Sequence, residues 1–173
     1  PVEYDLHGIV QVQITPEQGL TYASSLRSIL RQDPDVILVG EIRDLETARI
    51  SVQSALTGHL VLSTLHTNDA PSVVTRLLDL GVERFLLSST LEGVIAQRLV
   101  RTICEDCKVE YSPSEEELWE LDLSRDQVGS KTFYYGEGCK RCNGTGYKGR
   151  RAIFEMMLGT EELKELIVEE AST

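Results

Sequence analysis

The sequence predicts an α/β fold on a parallel sheet, with a small cysteine-bounded insertion in its later half. Three observations carry that expectation. Two short apolar runs, Val36–Val39 and residues 59–64 (HLVLST), have the composition of buried parallel strands. Stretches with apolar residues at helical spacing alternate with them. Four cysteines then occur as two C-x-x-C pairs, Cys104/Cys107 and Cys139/Cys142.

The elements follow in order. Residues 9–14 (IVQVQI) alternate apolar and polar, which is the period of a strand. Pro16 and Gly19 punctuate the turn after it. Tyr22, Leu26, Ile29 and Leu30 share one helical face, and Asp33-Pro34 ends that helix. The first apolar strand is closed by Gly40 and Glu41. Leu45, Ala48, Val52, Ala55 and Leu56 form a second helical stripe, and Gly58 suits its C-terminal cap. Residues 59–64 form the next buried strand, and a polar loop covers 65–70. One helix then runs through Leu77 and Leu78 to Gly81, and another covers 85–99.

The insertion has its own signals. Ser112-Pro113 with Glu115 has the pattern of a capping box, and the helix it opens holds Leu118, Trp119 and Leu121. Trp119 is expected in the core of this small region. The run Glu115-Glu116-Glu117 reads as a solvated helix start. Residues 132–135 and 152–157 read as strands. Residues 161–170 read as a short helix with acids in its first turn. Three segments result: 1–103 for the sheet domain, 104–142 for the insertion, and 143–173 for a returning strand and helix.

Composition narrows the function. Among 173 residues, 28 acids against 17 bases give a formal charge of −11. So acidic a surface disfavours a wide footprint on nucleic acid, and no nucleic-acid partner is expected. Lys148, Arg150 and Arg151 form a local basic patch all the same. No apolar stretch is long enough to cross a bilayer, and nothing at the N-terminus reads as a signal peptide.

The cysteines carry the most specific signal. A C-x-x-C knuckle places two thiolates on one turn, and two knuckles complete a tetrahedral Zn2+ shell. Disulfides or unrelated free thiols are the alternatives, and the absence of a secretory signal favours metal. Four Cys ligands leave no open position for water, so such a site is structural.

Glu41 ends an apolar strand, the pattern of a Walker B strand. A carboxylate at a sheet's rim can orient or deprotonate the water that attacks a γ-phosphate. The alternative is a plain Gly-Glu turn. His66, in the loop STLHTN after the next strand, is placed to meet a phosphate, or is simply solvated. Glu41 and His66 should share one rim, beyond the carboxyl ends of adjacent strands. His59, at the start of its strand, reads as a structural histidine. Arg27 and Arg31 share a helix face, and Arg43 sits two residues past Glu41. Guanidinium groups stabilise charge on a transferring phosphoryl group; the alternative is a solvated face. No G-x-x-x-x-G-K-[ST] segment occurs, so these residues supply no backbone cradle for β- and γ-phosphates.

These blocks together resemble the type II secretion and type IV pilus assembly ATPases. PVEY at the start resembles the tail of that family's Asp box. LRSILRQDPDVILVGEIRD resembles its Walker B block, TGHLVLSTLHTNDA its His box, and AQRLVRTICEDC with GCKRCNGTGYKGR its metal-binding subdomain. The resemblance implies a partial RecA-like ATPase core that works as a homo-hexamer with ATP and Mg2+. It implies Glu41 as catalytic glutamate, His66 near the γ-phosphate, and a catalytic-site role for Glu3. It implies Arg27, Arg31, Arg43 and Arg76 at the nucleotide or subunit interface, and Zn2+ on Cys104, Cys107, Cys139 and Cys142. Gly40 stands where other Walker B strands carry Asp. The family's setting is cytoplasmic, peripheral to the inner membrane, and coupled to an inner-membrane platform. Pilus retraction is the poorer fit, since retraction relatives generally lack the tetracysteine. Pro1 falls partway through the fold, so the fragment alone is expected to be inactive. The competing reading is a non-catalytic zinc-stabilised interaction module.

Overall fold

The computed structural model describes Val2 and residues 4–169. They fall into two compact units. One comprises residues up to 96 with those from 155 onward, and the other comprises 97–154.

In the first unit, helix α1 (Tyr22–Ile29) begins at a reciprocal cap. The Ser24 N–H donates to Thr21 Oγ1 at 3.1 Å, and the Thr21 N–H donates to Ser24 Oγ at 2.9 Å. The chain tightens through a 3-10 turn, Leu30–Gln32, and reverses at Asp33 in the left-handed region. Strand β1 (Val36–Val39) follows. Asp44 caps helix α2 (Leu45–Leu56), accepting the Thr47 N–H at 2.8 Å. Gly58, with φ +99°, turns the chain back into strand β2 (Leu60–Ser63). Then come α3 (Pro71–Asp79) and α4 (Arg84–Thr90).

β1 and β2 pair in parallel, in register from Val36↔Leu60 to Val39↔Ser63. Ile37 and Val39 are buried with Ala23 and Leu26 of α1 and Ile50 of α2. Each such aliphatic side chain contributes about 1.5–3 kcal/mol. The strands were expected to be buried on both faces. Leu38 is instead 73% exposed, and Val36, Leu60 and Leu62 are open too. Among the described residues this sheet has two strands, and only one of its faces is covered.

Strand β3 (Gly93–Ile103) comes next. In the second unit, β4 (Lys108–Tyr111) is followed by α5 (Glu115–Glu120), α6 (Arg125–Val128) and β5 (Phe133–Gly136). β4 and β5 pair antiparallel. Strand β6 (Tyr147–Leu158) pairs with β3, and helix α7 (Glu161–Val168) ends the described fold. Ile167 of α7 joins the larger core of the first unit with Ala48, Val52, Val73, Val74, Leu77, Val82 and Leu87. The predicted helix end at residue 170 lies outside the described residues.

Four expectations are corrected. Residues 9–14 form no strand, and Val10 is 94% exposed. An alternating pattern becomes a strand only when another backbone pairs with it. Side-chain amides bond the neighbouring backbone instead: Gln11 accepts the Leu6 N–H at 2.9 Å, and Gln13 accepts the Val2 N–H at 2.7 Å. The helix over 85–99 is half helix and half strand. It ends at Thr90, and the β-branched run with Val94, Ile95, Val100, Thr102 and Ile103 joins the β3–β6 pair. The capping box of α5 is Ser114 with Glu117, two residues later than predicted. Trp119 lies outside the core at 79% exposed, whereas Leu118 beside it is buried at 1%.

That contrast sets a stability test. Leu118→Ala should destabilise the protein by about 2–5 kcal/mol through lost burial and a cavity. Trp119→Ala should change stability by less than about 0.5 kcal/mol. Urea denaturation followed by circular dichroism compares them, and equal losses would contradict the packing described.

Candidate functional site

The parallel register of β1 and β2 brings the carboxyl ends of both strands level. Two loops therefore leave the sheet side by side, one carrying Glu41 and the other His66. Thr64 joins them. Its hydroxyl donates to the Gly40 carbonyl at 2.7 Å, and its own carbonyl accepts the Ile42 N–H at 3.1 Å.

Glu41 is the centre of the cluster. Arg43 Nε donates to Glu41 Oε2 at 2.5 Å, and His66 Nε2 stands 3.5 Å from the same oxygen. Among the described residues Oε1 has no hydrogen-bond partner. The Glu41 side chain is 17% exposed, while those of Arg43 and His66 are 71% and 84% exposed. The Arg43 guanidinium above all, with His66 behind it, holds the Glu41 carboxyl below the usual carboxylate range; partial burial opposes them. Gly40 faces the Tyr22 ring, and a Cβ there would meet the Tyr22 hydroxyl at 3.1 Å. A side chain at residue 40 would require the Tyr22 ring to give way by a few tenths of an ångström.

The other predicted residues lie apart from this cluster. Arg27 pairs with Glu46 at 2.7 Å, linking α1 to α2. Arg31 and Arg76 are exposed, in the 3-10 turn after α1 and the last turn of α3. Glu3 lies outside the described residues. His59 is structural, with Nδ1 2.9 Å from the Ser54 carbonyl and 3.1 Å from Thr57 Oγ1. Sequence reasoning missed two supports. One is Thr64. The other is Glu155, whose Oε2 accepts the Ala70 N–H at 2.9 Å where the His66 loop enters α3. Neither residue type nor spacing marked them, because both act on main-chain groups.

The four cysteines converge in the second unit, with every Sγ within 4.8 Å of the others. Cys104–Cys139 and Cys107–Cys142 sulfurs are 3.9 Å apart, and Cys139–Cys142 sulfurs 3.8 Å apart. All four are free thiols, too far apart for disulfides. A tetrahedral Zn–S4 centre with bonds near 2.3 Å requires sulfurs about 3.8 Å apart, so the donor set fits. Each pair is formed by a 3-10 turn, Glu105–Cys107 or Lys140–Cys142. The N–H groups of Cys139 and Gly146 donate to Cys142 Sγ at 3.1 and 3.2 Å. Led by the Cys139 N–H, they lower the Cys142 thiol to about 6, while burial pushes Cys107 up to about 12. Gly146, with φ +76°, runs so close to Gly136 that a Cβ on either would collide with the other's carbonyl. Lys148, Arg150 and Arg151 are exposed along β6.

The chain is similar to known secretion and pilus proteins. The family described as "Type II/IV secretion system protein" matches residues 1–173. The chain is 55% identical over 168 residues to a type IV pilus assembly ATPase PilB of Thermus thermophilus, covering 97% of this chain and 19% of the relative. It is 54% identical over 171 residues to the type II secretion system ATPase E of Vibrio cholerae, covering 99% and 34%. The chain thus spans about a third or less of these relatives' length. Among solved structures, it resembles the ADP-bound pilus retraction motor PilT at 31% identity and a TM-score of 0.57, covering 87% of this chain and 33% of that one. It shares a fold with the Legionella pneumophila ATPase DotB at 24% identity and a TM-score of 0.62, covering 98% and 37%.

The electrostatics of Glu41 are open to a direct check. Its carboxyl is held low, so the ion pair is complete above the ordinary carboxylate range and is lost as pH falls through the lowered value. Arg43→Gln should therefore move the Glu41 titration to higher pH, read by 13C NMR of the labelled carboxyl. An unchanged titration would remove Arg43 as its cause.

Proposed function

The chain belongs to the type II/IV secretion system protein family, and from that premise we propose that it is part of an ATP-hydrolysing motor for type II secretion or type IV pilus assembly. The observation that carries this reading is the Glu41–Arg43–His66 cluster at the level ends of two parallel strands. A carboxylate anchored through one oxygen and open at the other is suited to accept a proton from a water attacking a γ-phosphate. His66, exposed beside it, supplies a donor toward the phosphate. Arg27, Arg31, Arg43 and Arg76 serve the nucleotide or a neighbouring subunit of a homo-hexamer, where mobile guanidiniums meet developing negative charge. Glu3 is assigned to the same site by resemblance alone. Bound Mg2+ neutralises charge on the phosphates; with Gly at position 40, the strand offers no second carboxylate for it. The phosphate cradle is not among these 173 residues, so turnover depends on residues beyond them.

The fold proposed is a RecA-like core carrying a small zinc subdomain bounded by residues 104 and 142. Cys104, Cys107, Cys139 and Cys142 hold Zn2+ in a structural role, which the sulfur spacing supports. Among the described residues no helix is long and apolar enough to cross a membrane. The proposed setting is the cytoplasmic face of the inner membrane, reached through a platform partner. Nucleic acid has no place in the reading, given the net charge of −11.

Two measurements test it. In the full-length protein, Glu41→Gln should abolish ATP turnover while nucleotide binding persists; retained turnover would remove Glu41 as the base. Chelation of zinc should expose the amides of residues 104–142 to hydrogen exchange and leave β1 and β2 protected, because the metal supplies folding energy where the core is small. Unfolding of both regions together would contradict the two-part architecture.

A further inference from the structure

Glu41 follows a glycine. Residue 40 has no Cβ to restrict its backbone, so the peptide joining Gly40 to Glu41 has more rotational freedom than any other in that loop. A catalytic carboxylate placed on such a peptide would be poorly fixed, and a shift of about 1 Å at a reacting group can cost on the order of a hundredfold in rate. Something must restrain that peptide from outside. One residue on the neighbouring loop touches both peptide groups that flank Glu41.

That residue is Thr64, the first residue past β2. Its side-chain hydroxyl donates to the Gly40 carbonyl at 2.7 Å, fixing the orientation of the peptide before Glu41. Its main-chain carbonyl accepts the Ile42 N–H at 3.1 Å, fixing the peptide after Glu41. The second bond lies one residue out of step with the parallel ladder, which would bring the Glu41 N–H to the Thr64 carbonyl, and any residue at 64 could make it. The first bond needs a hydroxyl. Valine has the shape of threonine without it, and serine has it without the methyl group. The restraint also spans the two functional loops, because His66 lies two residues beyond Thr64 and reaches the same Glu41 oxygen that Arg43 holds.

We propose that Thr64 is a positioning residue for the reaction, bracketing Glu41 between two hydrogen bonds so that its carboxylate is set against the His66 loop. The proposal rests on the assignment of Glu41 as base. Its effect passes through the Gly40 carbonyl.

The test uses the full-length protein and three variants, Thr64→Val, Thr64→Ser and Glu41→Gln. Rates are normalised to sites titrated by nucleotide binding, so that loss of folded protein does not count as loss of catalysis. Thr64→Val should lower kcat about tenfold or more with KM for ATP within about twofold of wild type, the signature of a misplaced base with an intact binding site. Thr64→Ser should recover kcat to within about threefold of wild type, since the hydroxyl is restored. A Thr64→Val enzyme with wild-type kcat, beside an inactive Glu41→Gln enzyme, would overturn the role of Thr64 and leave the base in place. Equal losses in the valine and serine variants would overturn it too, by assigning the effect to packing. Turnover retained in Glu41→Gln would instead overturn the base assignment on which the proposal stands.

Discussion

The parallel pairing of β1 with β2 is the constraint on which the candidate site depends. Two four-residue strands in unshifted register end at the same height. The loops that follow therefore begin as neighbours, although about two dozen residues separate them along the chain. Slipping β1 by one residue against β2 would turn β1 over and send Ile37 and Val39 out of the core. The buried face holds the register through Ala23, Leu26 and Ile50, so packing on one side of the sheet fixes chemistry at its end. The cluster at the rim adds little stability of its own, because its charged partners are mostly exposed.

The legibility of the chain divides along a physical line. Helices with strong local signals could be read directly. α1 has a polar start, a spaced apolar face and an Asp-Pro stop, and α2 has Asp44 before it and Gly58 after it. Elements whose identity is settled by a distant partner were misread. Residues 85–99 carry apolar positions that fit both periods, and only the pairing of β3 with β6 decides for strand beyond Gly93. Residues 9–14 show the reverse case, a strand pattern with no strand to pair with among the described residues. Trp119 was misjudged because a large aromatic beside a buried leucine looks apolar in sequence, while the helix turns it outward.

The same division runs through the site. The meeting of Glu41 and His66 was legible because each lies in a loop leaving an apolar strand, and adjacent parallel strands bring such loops to one rim. The cysteines were legible because the C-x-x-C spacing is itself the geometry of a metal knuckle. Thr64 and Glu155 were not legible. They work by holding a carbonyl or an N–H group, a task many residue types can do, and one that shows only when the backbone is in place. Arg27 illustrates a third case. Its position suggested a catalytic or interface role, and the structure finds it paired with Glu46, so any such role would require exchanging one partner for another.

The close approach of Gly136 to Gly146 has a consequence for how this region can vary. The chain leaves the cysteine centre after Cys107 and returns to it before Cys139, and the two glycine backbones abut beside that return. The β4–β5 hairpin and the short helices α5 and α6 hang between these points as an appendage. Its length is decoupled from the ring of sulfurs, since closing a longer loop costs only slowly more entropy. Evolution can lengthen, shorten or re-surface this appendage without retuning the centre. A protein engineer can graft a reporter at its outer turn on the same grounds.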